Sequence, residues 1–488
     1  MERAYQCAEL TIPGLLPRQG FSQNTDLPIP YQSAMARNVT AMAAQLGFVN
    51  FPLNGQPFFG WEFDNALLLA GEDPSEVNDK LATRERLVTN SLLNTNLRAA
   101  AYLAFQHLIV VGDCLFYESP DFEFRVYKLD QYVVRRDPDG RPYEIILKEY
   151  VDVDTLKPEV KSKLPAKAKK TGSKDQRYEE MYCWVRRNPT NEQKPWRLDK
   201  EIRGVIIPEL GGDYENIPYK PLIWTWTGED YGRSKVEESI GDIRTLESLT
   251  RSLIEGAAAN AEFRILVDPA GPTELSDISE SENGDYRAGR EEDVHVLRYG
   301  SPEQLSVTMQ ARDTIRAELD RTFLRDLVMP TNRERVTAYE RRQVAQEIEQ
   351  ALGGVASTIS RDIVPYVVLQ HTMYMQAKGL MEPFKLGDNA SVQLRIRAGL
   401  EVLSREAELA KLMDVLQMLS AVPPEKQPDL NMNTLWLRIF VARGIETTGL
   451  MLTPEEIAAK KQQELAMAAA QQGIQSAGKI AETRAGQV

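Results

Sequence analysis

Ser234–Phe263 reads SKVEESIGDIRTLESLTRSLIEGAAANAEF, and its apolar residues Val236, Ile240, Ile243, Leu246, Leu249, Leu253 and Ala257 recur every three or four positions, the spacing of one helix face. Ser234 followed three residues on by Glu237 is a capping box, in which each side chain satisfies a free backbone N–H of the first turn. A helix over the whole stretch is about 45 Å long at about 1.5 Å per residue, longer than helices of compact domains usually are. A rod of that length predicts architecture and not a catalytic pocket.

Downstream, Asp268-Pro269-Ala270-Gly271-Pro272 stops the rod, and residues 264–306 carry ten Asp or Glu against four Arg. This acidic insert must leave and come back, because Ala311, Ile315, Leu319, Phe323 and Leu327 form a second apolar ridge that can pack on the first. Met329-Pro330-Thr331-Asn332-Arg333-Glu334-Arg335 breaks that second helix, and Thr337 with Glu340 offers a capping box for another, running to near Gly353-Gly354. The remainder reads as helical, punctuated by Pro423-Pro424 and Gly449, with a last capping box at Thr453-Pro454-Glu455-Glu456. After Gln472 the Ala, Gln and Gly content predicts a frayed or partner-dependent tail.

Upstream, helical spacing over Asn38–Leu46 and Thr83–Val111 gives way to short apolar or alternating runs. Tyr132-Val133-Val134 and Glu144-Ile145-Ile146-Leu147 are split by Asp137-Pro138-Asp139-Gly140, and Asp-Gly between such runs predicts a hairpin turn. Strand-like runs return at Met181–Val185, Arg203–Pro208 and Pro221–Trp226. Trp224 and Trp226, two apart, are expected on one face of a strand. Between Lys157 and Arg177 eight Lys or Arg face only Glu159 and Asp175, which predicts an exposed basic loop; with no aromatics it offers no base-stacking platform.

The chain has 488 residues, 42% of them hydrophobic, and a formal charge of −13. That is enough for several domains and an awkward charge for tight nucleic-acid binding, which depends on Lys and Arg neutralising phosphates. Cys7, Cys114 and Cys183 form no CxxC pair and are expected as buried free thiols. No apolar run approaches the roughly 20 residues that span a bilayer, and the start lacks a secretion signal, so the protein is expected in the cytoplasm and not in a membrane. His107, His295 and His371 stand in no metal-ligand spacing, and neither GxxxxGK[ST] nor GxGxxG occurs. The acid pairs Glu237-Glu238, Glu291-Glu292 and Glu455-Glu456 read as caps and solvated charges. No enzyme activity and no cofactor are expected.

Several collinear stretches resemble a known family: YQCAELTIPGLLP at Tyr5–Pro17, QHLIVVGDCLFY at Gln106–Tyr117 and LDQYVVRRDPDG at Leu129–Gly140. Further along come DYGRSKVEESIGDIRTLESL at Asp230–Leu249, ERVTAYERRQVAQEIEQALGGV at Glu334–Val355 and IETTGLMLTPEE at Ile445–Glu456. The series resembles the portal, or head-to-tail connector, proteins of short-tailed bacteriophages (podoviruses). The resemblance implies a mainly α portal fold with a mixed α/β wing, two long stem helices bracketing a small clip, and a helical crown. On that scheme 1–233 is the N-terminal part of the wing, 234–263 stem helix 1, 264–306 the clip and 307–327 stem helix 2. Residues 328–336 are the channel loop, 337–397 a wing and channel helix, 398–472 the crown and 473–488 the flexible tail.

It further implies a ring, a dodecamer, at one capsid vertex of the virion, assembled in the host cytoplasm, with double-stranded DNA passing through it without sequence reading. Its implied partners are the terminase large subunit, tail adaptor proteins, major capsid and scaffolding proteins, and internal core proteins. Asn332, Arg333 and Arg335 are candidates for a DNA-touching channel loop. Glu274, Asp277, Glu280, Glu282 and Asp285 are candidates for the docking surface on the clip. Ile240, Ile243, Leu246, Leu249, Leu253, Ile315, Leu319 and Phe323 are expected to pack the stem. Two other readings stay open on the residues alone: a tail or internal-core scaffold component, and a hydrolase or nuclease with a diffuse acidic site.

Overall fold

The computed structural model describes residues 1–18, 29–51, 58–62, 74–165, 178–261, 263–280, 282, 285–286, 288–298, 302–325, 347, 351, 354–383 and 395–398. One compact unit comprises residues 1–70 and 83–402. A second gathers 71–82 with 403–488, of which 74–82, the opening turns of one helix, are described.

The stretches whose spacing predicts helix form α2 (Ala34–Asn50), α3 (Pro74–Leu93) and α4 (Leu97–Val111), the last two parted by a turn at Asn94–Asn96, and α1 (Glu2–Leu10) precedes them without such a signal. α2 packs on α4, burying Val39, Met42 and Leu46 on one side and Ala104, Phe105 and Leu108 on the other. Gly112 ends α4 in the left-handed region at φ 94°, where its N–H donates to the His107 and Leu108 carbonyls. The chain then enters β2 (Asp113–Glu118) at once.

β2 is the middle strand of a small antiparallel sheet between β3 (Phe124–Tyr127) and β10 (Tyr219–Ile223). Its pairs include Leu222 with Cys114 and Tyr219 with Tyr117, whose rings stack at 4.4 Å. A larger antiparallel sheet runs β4 (Tyr132–Arg136), β5 (Pro142–Asp152), β6 (Tyr178–Arg187), β7 (Trp196–Ile202) and β8 (Val205–Ile206), with β9 (Gly212–Tyr214) also on β7. Strand alternation puts Tyr132, Val134, Ile145, Leu147, Cys183, Val185 and Leu198 into the core, while Val133, Ile146, Tyr150 and Tyr182 face out. The hairpin predicted at Asp137–Gly140 joins β4 to β5: Gly140 adopts φ 79° and the Asp137 carboxylate accepts the Asp139 and Arg141 N–H groups.

Three local expectations change here. The basic stretch is not loop throughout, because Pro158–Lys163 forms the short helix α5, with Pro at its start, Glu159 in the first turn and Lys161 and Lys163 in the last, an order that suits the helix dipole. Residues 166–177 lie outside the described residues. Arg203 does not open a strand: with φ 53° beside Gly204 at φ 78° it makes the turn from β7 to β8. Trp224 and Trp226 do not share a face, since β10 ends at Ile223; Trp224 is buried, whereas Trp226 is 42% exposed, and a Cβ on Gly140 would come within 3.1 Å of its ring.

The rod expected over 234–263 is interrupted. α6 (Lys235–Glu238) is a single turn, α7 runs Ile240–Ala261, and Phe263–Val267 is strand β11. Half of the expected capping box forms: the Ser234 hydroxyl accepts the Glu237 N–H at 2.9 Å, while the Glu237 carboxylate turns to Arg3 and Arg233, and the chain re-sets at Ser239 before α7 begins. The Asp268-Pro269 turn therefore ends a strand and not a helix. β11 pairs antiparallel with β12 (Val294–Arg298), with the short helix α8 (Leu275–Ser279) between them. The returning helix α9 (Pro302–Thr322) starts five residues before the expected 307, with Pro302 at the position where a missing N–H costs nothing.

α10 (Val355–Ala377) follows, with Pro365 inside it. The expectation that everything beyond is helical fails at β13 (Arg395–Ala398), which pairs with β1 (Phe59–Glu62), Phe59 opposite Ala398 and Glu62 opposite Arg395. Residues 392–398 read VQLRIRA, an alternation of period two that suits a strand. The breaker 329–335, most of the helix expected after Thr337, and the whole of 399–488 lie outside the described residues.

Candidate functional site: a helix pair and its acidic hairpin

The excursion α7–β11–α8–β12–α9 leaves the rest of the unit at one junction. There Gly232 crosses Gly112 so closely that a Cβ on Gly112 would stand 2.9 Å from Arg233 C, and one on Gly232 would stand 2.2 Å from Ile223 Cγ2. The Gly232 N–H donates to both oxygens of Asp113, at 3.1 and 3.0 Å. Asp113 is 1% exposed, and burial pushes its carboxyl up to about 6, against the opposing pull of the Gly232 N–H and the nearby Arg136. Arg136, at the end of β4, ties two turns together by donating from Nε to the Asp230 carbonyl and from a terminal nitrogen to the Gly140 carbonyl, both at 3.0 Å.

α7 and α9 lie side by side, antiparallel because one antiparallel ladder joins them. Burial is deepest near the junction, where Ile243, Leu246, Leu319 and Phe323 are at most 1% exposed. Farther out Ile315, Leu249 and Leu253 are half-buried and Ala257 is exposed; Ile240 is half-buried at the start of α7. At the far end a Cβ on Gly256 would stand 3.0 Å from Leu305 Cδ2, so glycine lets the helices approach there. The base is tied down on several sides. Glu237 pairs with Arg3 at 2.9 Å and Arg233 at 3.0 Å, Glu247 accepts the backbone N–H groups of Tyr31 and Gln32 at 2.7 and 3.2 Å, and Gln45 donates to the Leu324 carbonyl at 2.8 Å.

Beyond the ladder the hairpin is organised by Asp293. Its carboxylate accepts the Thr273 hydroxyl at 2.8 Å, its carbonyl accepts the Asp268 N–H at 2.8 Å, and Thr273 Oγ1 in turn accepts the Arg290 N–H at 2.9 Å. Gly271 and Gly289 make room for this knot, since a Cβ on either would stand under 3.0 Å from Asp293 or Thr273. The surface around it is acidic: Glu274, Glu280, Glu282, Asp285, Glu291 and Glu292 are exposed.

The sequence-derived candidates thus fall in different places. Glu274, Glu280, Glu282 and Asp285 stand on one excursion and face out, and Asp277 lies in α8. Asn332, Arg333 and Arg335 lie outside the described residues. Sequence reasoning passed over Asp113, the Gly112–Gly232 crossing and the Thr273–Asp293 knot. The signal for the first two was a Gly-Asp directly after an apolar helix and a second Gly just before Ser234.

The chemistry-bearing side chains elsewhere act as struts. Among the described residues no group of His, Cys, Asp and Glu is placed to hold a metal ion. Cys7, Cys114 and Cys183 are free and buried, and burial pushes the Cys7 thiol up to about 11 and Cys183 to about 12. Ser91 Oγ, His371 and Glu118 form a line at 2.8 and 2.5 Å that has the order of a nucleophilic triad. Glu118 and His371 are fully buried, however, and Ser91 lies near the end of α3 and not on a strand-to-helix elbow, so the line joins α3, β2 and α10 instead of presenting a nucleophile.

Residues 1–451 match the family described as Bacteriophage head to tail connecting protein. A portal protein of Enterobacteria phage T3 is 30% identical over 97% of this chain and 89% of its own length. One of Escherichia phage T7 is 29% identical over 97% of this chain and 88% of its own. Among solved structures, a chain from the neck of an empty GTA particle is similar over 88% of this chain and 93% of its own, at 11% identity and a TM-score of 0.40. With a match that runs almost from end to end, the chain belongs to the bacteriophage head-to-tail connecting, or portal, protein family.

Proposed function

We propose that the chain is the subunit of a portal ring at one vertex of a phage capsid, the conduit through which double-stranded DNA is packaged and ejected. The reading is carried by one observation: a chain of the connector family sends out a paired helix excursion, α7 and α9, tipped by a small acidic hairpin. In this scheme α7 and α9 are the stem, the β11–β12 hairpin with α8 is the clip, and residues 1–233 with 337–397 form the wing. Residues 328–336 are the channel loop, 398–472 the crown and 473–488 its tail. Portal proteins are structural, and this subunit works by shape and charge.

Twelve copies at −13 each repel a phosphate backbone, which keeps DNA mobile in the bore. Against that background Arg333 and Arg335, beside Asn332, supply a local positive contact that positions phosphate without reading bases. The exposed acids of the clip offer a docking surface to a packaging motor, the terminase large subunit, and later to tail adaptors. Capsid, scaffolding and internal core proteins are met elsewhere on the ring. Replacing Arg333 and Arg335 together by Ala is expected to leave ring assembly intact and lower the yield of DNA-filled heads; an unchanged yield contradicts the role of the loop.

A further inference from the structure

We propose that the face of α9 turned away from α7 is a groove that receives α7 of a neighbouring copy of this chain, with Arg244 against Glu318 and Arg251 against Asp313. The contact rests on the ring reading above and specifies how two subunits meet along the stem.

α9 packs on its own α7 with Leu319 buried and Ile315 half-buried, and Phe323 just past its end is buried as well. On the opposite side of the same helix Ser306, Met309, Gln310, Asp313, Ala317 and Arg321 line a groove, spaced at three and four residues as one helical face requires. Its partner surface is on α7. Arg244, Ser248, Arg251 and Glu255 are exposed, recur at three- and four-residue steps, and lie on the side of α7 opposite the buried Ile243 and Leu246. Each chain therefore carries a groove on one flank of its helix pair and a polar stripe, headed by two arginines, on the other. That is the heterologous arrangement that closes into a ring.

The apolar surface of the stem is also unfinished in one chain: Ile254, Val307 and Met309 are 49%, 67% and 51% exposed. So are its charges. No hydrogen bond or ion pair holds the Glu318 carboxylate among the described residues. Arg244 donates from one terminal nitrogen to the neutral Gln6 side chain at 2.7 Å, a contact that leaves its charge uncompensated. Arg251 pairs with Glu255 one turn on, and Asp313 with the adjacent Arg312, exposed local pairs of the kind that exchange readily.

The register follows from symmetry. Within one chain Gly256 is level with Leu305. Two antiparallel helices of equal rise then place Glu318 level with Ile243, beside Arg244, and Asp313 level with Ser248, about 4.5 Å along the axis from Arg251 at about 1.5 Å per residue. Copies in a cyclic ring are related by rotation alone, so for a stem running with the ring axis the same levels hold between neighbours. Arg244 then meets Glu318 of the next copy at equal height, and Arg251 reaches Asp313 across less than one turn. Ser248, level with Asp313, is small and uncharged, so the stripe sets no acid against that carboxylate and leaves room for the Arg251 side chain to cross.

The test is ring assembly of the full chain followed by size-exclusion chromatography and negative-stain imaging across a concentration series. Glu318→Arg and Arg244→Glu, each placing like charges at the contact, are expected to raise the concentration for half-assembly by about tenfold. The double reversal is expected to return it toward wild type, which a variant that merely misfolds would not do. Wild-type rings whose midpoint Glu318→Arg leaves unchanged, or a double reversal no better than the single ones, overturn the contact and leave the ring reading standing. A wild-type chain that closes no ring overturns the ring reading and the contact with it.

Discussion

Asp113 shows how one buried side chain joins segments far apart in the chain. Its carboxylate accepts the Gly232 N–H where the helix excursion leaves the sheet, and burial raises it from 3.8 to about 6. A carboxyl raised in the folded state takes up its proton there before it does in the unfolded chain. It therefore stabilises fully below about pH 4, and that stability is lost as pH rises to about 6 and beyond. Two pKa units correspond to about 3 kcal/mol. Asp113→Asn keeps an acceptor for Gly232 without the charge, so the wild type is expected to lose on the order of 2–3 kcal/mol relative to the variant between pH 4 and pH 7. Urea midpoints across that range check this, and parallel curves contradict it. The Gly112-Asp113 step after an apolar helix is the local signal, but the burial of Asp113 is not legible there, because β10 and the Gly232 turn more than a hundred residues away produce it. The Ser234 cap was legible because its partner, Glu237, is three residues off.

At the scale of elements the same contrast holds. The apolar spacing of α7 and α9 announces both helices, since a helix face repeats locally. The break at Ser239, the early start at Pro302 and the strands β11 and β12 were not announced. The two strands take their identity from each other across the acidic turn, and β13 takes its own from β1, over three hundred residues upstream. The hairpin gets its shape from the knot at its root. Asp293→Ala leaves the Thr273 hydroxyl without its acceptor and empties the space the carboxylate fills against Gly271, at a cost of about 1–3 kcal/mol. Hydrogen exchange is expected to quicken over residues 268–293 while α2 and α4 keep their protection. Equal protection of the hairpin in variant and wild type contradicts its role as the organiser of this element.

The whole molecule combines a net charge of −13 with an exposed acidic hairpin and no helix among the described residues long and apolar enough to cross a membrane. Its length and its charge were readable from the sequence, and the architectural reading rests on the family match over residues 1–451. Residues 328–336, proposed above as a channel loop, lie outside the described residues. What a single chain leaves open at its flanks, the groove of α9 and the stripe of α7, is what a ring would cover. The most direct measurement is therefore an image of the purified full-length chain by negative stain or electron cryomicroscopy. The portal account predicts closed rings with a central channel wide enough for duplex DNA; monomers, open fibres or compact particles without a channel would contradict it.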